Sequence, residues 1–189
     1  MTAAADARVL VVDDEREVAD AYAVRIGTVY EAAAVYSGES ALEAISEATD
    51  VVLLDRRMPG MTGDEVLERI RERGIDCQVI MLTAIDPGFD TIGMPFDDYL
   101  CKPVERDDLL GAIEQQLRIV NYRQLSEYFE LAAKRAVLEA ATSRRERETN
   151  EEYTELVAET RQLRSELADS IDDFEDIDSA FAAINREPA

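Results

Sequence analysis

The sequence predicts an open, doubly wound α/β sheet over roughly its first two thirds and an all-helical segment after it. Three observations carry that reading. Short aliphatic runs at residues 9–12, 51–54 and 79–82 are unbroken by polar alternation, as in strands buried on both faces of a parallel sheet. Segments with apolar residues spaced by three and four alternate with these runs, the pattern of right-handed βαβ crossovers. From Tyr122 to Ala189 there is no glycine, and the only proline is Pro188, a composition that favours uninterrupted helix.

The elements follow in order. A strand at 8–12 leads to a helix over about 15–26 with Val18, Ala19, Tyr22 and Ile26 on one face. A second strand, about 30–35, precedes Ser37-Gly38 and a short helix carrying Ala41, Leu42 and Ile45. The third strand is 51–54. The loop at 58–63 then enters a helix with Val66, Leu67 and Ile70 inward, closed by Gly74 as C-terminal cap. Strand four runs from 78 to 82 and strand five from 99 to 101. Between them Pro87, Gly88, Gly93 and Pro95 punctuate the chain, so any helix there is short or irregular.

From Glu105 the chain turns helical, and Leu109, Leu110, Ile113, Leu117 and Val120 close the sheet's last face. One helix is expected over 122 to about 141, with Leu125, Tyr128, Phe129, Leu131, Ala132 and Leu138 apolar. A polar hinge at 142–150 follows. A second helix starts near Thr149, which has capping-box spacing to Glu152. Its apolar positions, from Tyr153 and Leu156 through Leu163, Leu167, Ile171, Phe174 and Ile177 to Phe181, approximate a heptad seam, which needs another helix to cover it. An antiparallel helical hairpin is the simplest arrangement and a dimeric coiled coil the next. The expected domains are residues 1–121 and 122–189.

Composition narrows the function. The net charge is −22, with 42 acidic against 20 basic residues, and only Lys102 and Lys134 are lysines. A carboxylate-rich, lysine-poor surface suits a protein kept hydrated in concentrated salt, where the Debye length is roughly 3 Å at 1 M; an ordinary acidic cytosolic protein is the alternative. The balance opposes broad non-specific nucleic-acid binding, which needs basic side chains against phosphates. Histidine is absent, so His-dependent triads, His-ligated zinc and an internal phosphohistidine are excluded. Cys77 and Cys101 are expected as reduced core residues. Neither a membrane span nor a signal peptide is visible, and a soluble, cytoplasmic protein is expected.

The candidate chemistry lies at the strand ends, since ligands of open parallel sheets bind outside the carboxyl ends of the strands. Asp13 and Asp14 follow strand one, Asp55 strand three, Thr83 strand four and Lys102 strand five. Three carboxylates brought together repel unless a cation binds, and Mg2+ suits a few carboxylate oxygens completed by water and phosphoryl oxygens. Asp55 can itself be a nucleophile that forms an acyl phosphate. Lys102 adds a fixed positive charge and Thr83 a hydroxyl donor.

These residues resemble the receiver domain of two-component response regulators, of the chemotaxis-regulator type. The acidic pair Asp13-Asp14, Asp55, Thr83-Ala84 and Lys102-Pro103 occur in the family's order, with Met58-Pro59-Gly60 after Asp55 and Asp98-Tyr99-Leu100 before Cys101 and Lys102. The resemblance implies a flavodoxin-like five-stranded parallel sheet of order 2-1-3-4-5. It implies that Asp55 takes phosphate from a partner sensor histidine kinase. Asp14, Asp55 and the Arg57 backbone carbonyl would ligate Mg2+, with Asp13 acting mainly through water. Thr83 and Lys102 would bind phosphoryl oxygens, Lys102-Pro103 would be a cis peptide, and Tyr99 would be the switch aromatic that moves with Thr83. The broken stretch at 86–95 departs from the family's fourth helix. Arg57 at the mouth of the site is either a modifier of phosphoryl lifetime or a solvated surface residue.

The helical remainder resembles the HalX domain that follows receivers in haloarchaeal proteins. Three outputs are open. Phosphorylation could change the packing of the hairpin and signal by contact with a second copy or a downstream protein. The basic cluster of Lys134, Arg135, Arg144, Arg145 and Arg147 could contact DNA, although the segment after 121 holds 9 basic and 17 acidic residues. The chain would also be a slow autophosphatase, ancillary to its role as phospho-acceptor rather than as an enzyme.

Overall fold

The computed structural model describes residues 7–84 and 86–184. Its elements are β1 (Arg8–Val12), α1 (Arg16–Ile26), β2 (Glu31–Val35), α2 (Gly38–Ala44), β3 (Val51–Leu54), α3 (Gly63–Glu72), β4 (Gln78–Thr83), β5 (Asp98–Cys101), α4 (Arg106–Ala141), α5 (Arg144–Glu148), α6 (Glu151–Ser170) and α7 (Phe174–Ile184). Two compact units divide between Leu117 and Arg118.

The first unit is a five-stranded, all-parallel sheet of order β2-β1-β3-β4-β5. The unbroken apolar runs fill two cores because alternate residues point to opposite faces. Val9, Val11, Val51, Leu53, Ile80 and Leu82 pack with α1 residues Ala19, Tyr22 and Ile26 and with Leu109 and Ile113 of α4. Leu10, Val12, Val52, Leu54, Val79 and Met81 pack with Ala41 and Leu42 of α2 and Val66, Leu67 and Ile70 of α3. Both faces are therefore covered, which is what removes polar residues from these strands.

Where a fourth crossover helix could stand, the described residues form the 3-10 turn Phe89–Gly93. Arg71 anchors the end of this irregular segment: its guanidinium donates to the carbonyls of Pro95 (3.0 Å) and Cys77 (2.7 Å) and to the Asp97 carboxylate (2.6 Å). Asp97 in turn accepts the Val79 amide at 2.7 Å. The loop entering β5 is thus tied to the start of β4.

The second unit holds an antiparallel pair, α6 against the later part of α4. Tyr128, Leu167 and Phe174 form its buried centre, flanked by Leu125, Phe129, Ala132, Leu163 and Ile171. At the other end of the pair the Tyr153 hydroxyl donates to Glu139 at 3.0 Å.

Four details of the helical region differ from the sequence reading. Helix α4 runs unbroken for 36 residues, with no break near residue 121, since no Gly or Pro interrupts it after Gly111. The polar hinge contains α5, whose capping box joins Ser143 and Glu146. Helix α6 is capped by Asn150, which accepts the Tyr153 amide at 2.7 Å, instead of by Thr149. The seam does not continue straight to Phe181: α6 ends at Ser170, and α7 folds back to stack Phe174 and Phe181 on Tyr128 and Phe129, with ring centroids 5.4 and 4.3 Å apart.

Cys77 is buried and Cys101 exposed, neither in a disulfide, so only the first is a core residue; β5 is an edge strand. Among the described residues no helix is long and apolar enough to cross a membrane.

Candidate functional site

Backbone hydrogen bonds continue the ladders past the strand ends and so fix the residues that follow. The Asp13 amide donates to Val35 at 3.2 Å, the Asp55 amide to Val12 at 2.8 Å, and the Lys102 amide to Thr83 at 2.8 Å. Asp13, Asp55 and Lys102 consequently share one edge of the sheet.

Their side chains meet there. The Lys102 ammonium donates to Asp13 Oδ2 at 2.5 Å and to Asp55 Oδ1 at 3.0 Å. Carboxylate oxygens of Asp13, Asp14 and Asp55 lie within 4.8 Å of one another. Asp13 and Asp55 are buried and Asp14 is more open. Two further bonds hold the carboxylates: the Glu15 amide donates to Asp13 Oδ1 at 3.0 Å and the Arg57 amide to Asp55 Oδ2 at 3.1 Å. Burial pushes the Asp55 carboxyl up from its ordinary pKa, against the pull of Lys102, while neighbouring Asp13 adds to the rise. Burial alone would lower the Lys102 pKa, but its bonds to Asp13 and Asp55 outweigh this and raise it.

All the donors in this cluster are hard oxygens, and one carboxylate faces solvent. That set fits a hard divalent cation with room for water, as Mg2+ requires.

The remaining sequence-predicted residues lie on β4, on β5 and in the loops that follow the strands. Thr83 closes β4 and is buried, and Tyr99 lies on β5 against Phe96, ring centroids 5.6 Å apart. The Lys102-Pro103 bond is cis. Arg57 is exposed. Arg56 turns the other way, its guanidinium forking onto Asp64 at 3.1–3.3 Å.

Gly63 is a residue that the sequence reading does not single out. It begins α3 directly behind the acceptor, and its amide donates to the Arg56 carbonyl at 3.0 Å. A Cβ there would sit 2.2 Å from the Asp55 carbonyl oxygen. The available signal was the capping-box spacing of Thr62 and Glu65, which starts the helix at this point.

In the second unit the basic cluster is largely engaged with the protein itself. Arg135 pairs with Glu139 (3.0 Å) and Arg144 with Glu148 (2.7 Å). Arg147 donates to the carbonyls of Glu139 and Thr142 at the end of α4. Lys134 and Arg145 are exposed.

A 2-1-3-4-5 parallel sheet with an acidic triad and a lysine at its carboxyl edge defines a receiver-type α/β module. Residues 9–114 match the response regulator receiver domain and residues 118–184 the HalX domain, and the chain belongs to the response regulator receiver family of two-component systems.

Relatives agree. A candidate transcriptional regulator of Haloferax volcanii is 45% identical over 139 residues, covering 72% of this chain and 24% of that protein. The transcriptional regulatory protein DltR of Streptococcus agalactiae is 35% identical over 143 residues, covering 67% of this chain and 64% of that one. The chain thus spans less than two thirds of the length of either relative. Among solved structures, the signal receiver domain of a Luxo-type repressor from Vibrio parahaemolyticus matches with TM-score 0.59 and 28% identity, over 65% of this chain and 98% of that one. TrrA of Thermotoga maritima, solved in complex with Mg2+-BeF, matches with TM-score 0.50 and 30% identity, over 58% and 98%.

Proposed function

We propose that Asp55 accepts a phosphoryl group from the phosphohistidine of a sensor kinase in the presence of Mg2+, and that the helices after residue 121 report the modification through protein–protein contact. The observation that carries this reading is the Lys102 ammonium bridging Asp13 and Asp55 beside the three-carboxylate cluster.

In the transfer, an Asp55 carboxylate oxygen forms a P–O bond as the donor's P–N bond breaks. The imidazole keeps the electron pair and takes up a proton. The Arg57 amide on Asp55 Oδ2 fixes the plane of the nucleophile. Lys102 pairs with Asp55 before the reaction and with a phosphoryl oxygen after it, so its positive charge follows the negative charge that moves into the site. Thr83 donates its hydroxyl to a second phosphoryl oxygen, and Tyr99 repacks with it as the switch. Asp13, Asp14, Asp55 and the Arg57 carbonyl would hold Mg2+, which supplies neutralisation of phosphoryl charge when bound. Attack of water on the acyl phosphate returns free Asp55, the ancillary autophosphatase activity.

The test is incubation with acetyl phosphate and Mg2+, read by intact mass. Wild type should gain one base-labile phosphoryl group and Asp55→Asn none; equal labelling of both variants would sink the assignment. The output half is tested by hydrogen exchange of residues 118–184 with and without Mg2+-beryllofluoride, where identical protection would remove it.

The names of the relatives favour a second reading, transcriptional control through DNA. Three of the five basic residues it would use are engaged internally, so weak binding at most is expected. Filter binding across a salt series decides between the readings: retention that falls steeply with salt supports DNA contact.

A further inference from the structure

We propose that the chain pairs with a second copy of itself through a stripe on α4 formed by Ile119, Tyr122, Ser126, Ala133, Val137 and Ala140, with the two helices antiparallel about an axis between residues 129 and 130. This gives the protein-contact output a specific partner, but it stands apart from phosphotransfer.

Apart from half-buried Ala133 and polar Ser126, the stripe is exposed and apolar. Tyr122 is 68%, Val137 67% and Ile119 46% exposed, while the neighbouring face of the same helix is covered by α6 and α7 through Leu125, Tyr128, Phe129 and Ala132. At 1.5 Å per residue it is about 32 Å long, with its larger apolar members, Ile119, Tyr122 and Val137, separated by small residues.

Its spacing reads the same in both directions. Successive members are 3, 4, 7, 4 and 3 residues apart. An antiparallel copy in that register sets Ile119 opposite Ala140, Tyr122 opposite Val137 and Ser126 opposite Ala133, each contact occurring twice, as an isologous interface requires. The residue sizes also match: Ile119 meets Ala140, Ser126 meets Ala133, and Tyr122 meets the smaller Val137. A parallel copy would instead set Tyr122 on Tyr122 and alanine on alanine, leaving a gap at one end and crowding at the other.

Charge selects the partner. A second copy brings the same net −22, so it can approach only where that charge is locally absent. From Arg118 to Ala141, α4 carries four basic and three acidic residues. Helix α6 carries two against six, and α7 none against three. A basic partner would be drawn to α6 and α7; the near-neutral stretch of α4 from 118 to 141 suits a partner sharing this chain's charge. The register also brings Glu127 of each copy alongside Lys134 of the other. Glu130 alone approaches its own counterpart at the axis.

Sedimentation velocity of the full, unphosphorylated chain in concentrated salt should show a concentration-dependent dimer. Val137→Glu should weaken it by about tenfold or more and Glu130→Gln should strengthen it, with helicity unchanged by circular dichroism. In a Cys101→Ser background, mixing Tyr122→Cys with Val137→Cys chains should give a 122–137 disulfide. A monomer at all concentrations, a dimer indifferent to Val137→Glu, or a preferred 122–122 disulfide overturns the proposal. Because no phosphoryl donor is present, each of those results leaves the Asp55 assignment untouched, and failure of Asp55 labelling leaves the dimer untouched.

Discussion

Replacing Gly63 by alanine tests whether the backbone behind the acceptor has slack. The added Cβ would lie 2.2 Å from the Asp55 carbonyl oxygen, 2.9 Å from Arg56 Cα and 3.0 Å from the Asp55 carbonyl carbon, whereas an ordinary contact begins at 3.4 Å. Asp55 and α3 must therefore part by about 1.2 Å, the difference between 3.4 and 2.2 Å. All three atoms are backbone, so no rotamer change relieves the clash. Overpacking of this kind costs about 1–3 kcal/mol, and the upper half of that range applies here. Alanine recovers about 0.5–1 kcal/mol of backbone entropy, leaving a net loss of about 1–2.5 kcal/mol.

With a urea slope of roughly 1–3 kcal/mol/M, the unfolding midpoint should fall by about 1 M, followed by circular dichroism. The same displacement tilts the Asp55 carboxylate away from Lys102, so affinity for Mg2+-beryllofluoride should fall too. Gly38→Ala is the matched control. Its Cβ would meet side-chain atoms of Met61 and Val66 at 2.8–2.9 Å, which should cost stability without moving the acceptor. An unchanged midpoint and unchanged beryllofluoride binding in Gly63→Ala would refute the claim that this glycine sets the position of Asp55.

Other variants probe the rest of the molecule. Gly111 lies within α4 with nothing within 4 Å of an added Cβ, so Gly111→Ala should stabilise by about 0.5–1 kcal/mol, seen as a raised unfolding midpoint; a lower one contradicts the open space. Lys102→Ala removes the ammonium that neutralises the carboxylate cluster, so Mg2+ titration should show tighter binding while beryllofluoride is lost, and weaker Mg2+ binding would count against that balance. Burial, with the bond to Asp178 (2.7 Å), pushes the Tyr128 pKa up to about 12 from 10.0. Because the folded state holds this proton more tightly, the contribution is complete below pH 10 and lost as pH rises from 10 towards 12. Tyr128→Phe should cost about 1 kcal/mol at neutral pH and flatten alkaline unfolding across that window. An alkylating reagent should label exposed Cys101 at pH 8 and spare Cys77, whose thiol is buried and pushed to about 11; equal labelling would mean that the second core opens readily.

The acceptor site was legible in the sequence because its geometry is almost one-dimensional. A strand buried on both faces announces itself as an unbroken aliphatic run, and in a parallel sheet every such run ends at the same edge. The residues after 12, 54 and 101 therefore had to converge on one another, and Lys102 reaches both Asp13 and Asp55. Gly63 was not legible in this way, since its importance comes from an approach of two backbones that leaves no pattern in the side chains. The helical third was read correctly as helical but not in its breaks. Asp172 and Asp173 are only a weak stop signal; what turns the chain back is tertiary. Phe174 is buried against Tyr128 and Leu167, and Arg164 grips Asp178 at 3.1 Å and Glu175 at 2.8 Å across the turn. That fold-back covers most of the heptad seam from within the chain, leaving Ile177 exposed, so little of the seam is left for a partner. The large apolar residues left most exposed among the described residues of the second unit, Tyr122 and Val137, lie on α4 instead, at positions a search for the longest heptad passes over because small residues interrupt the stripe.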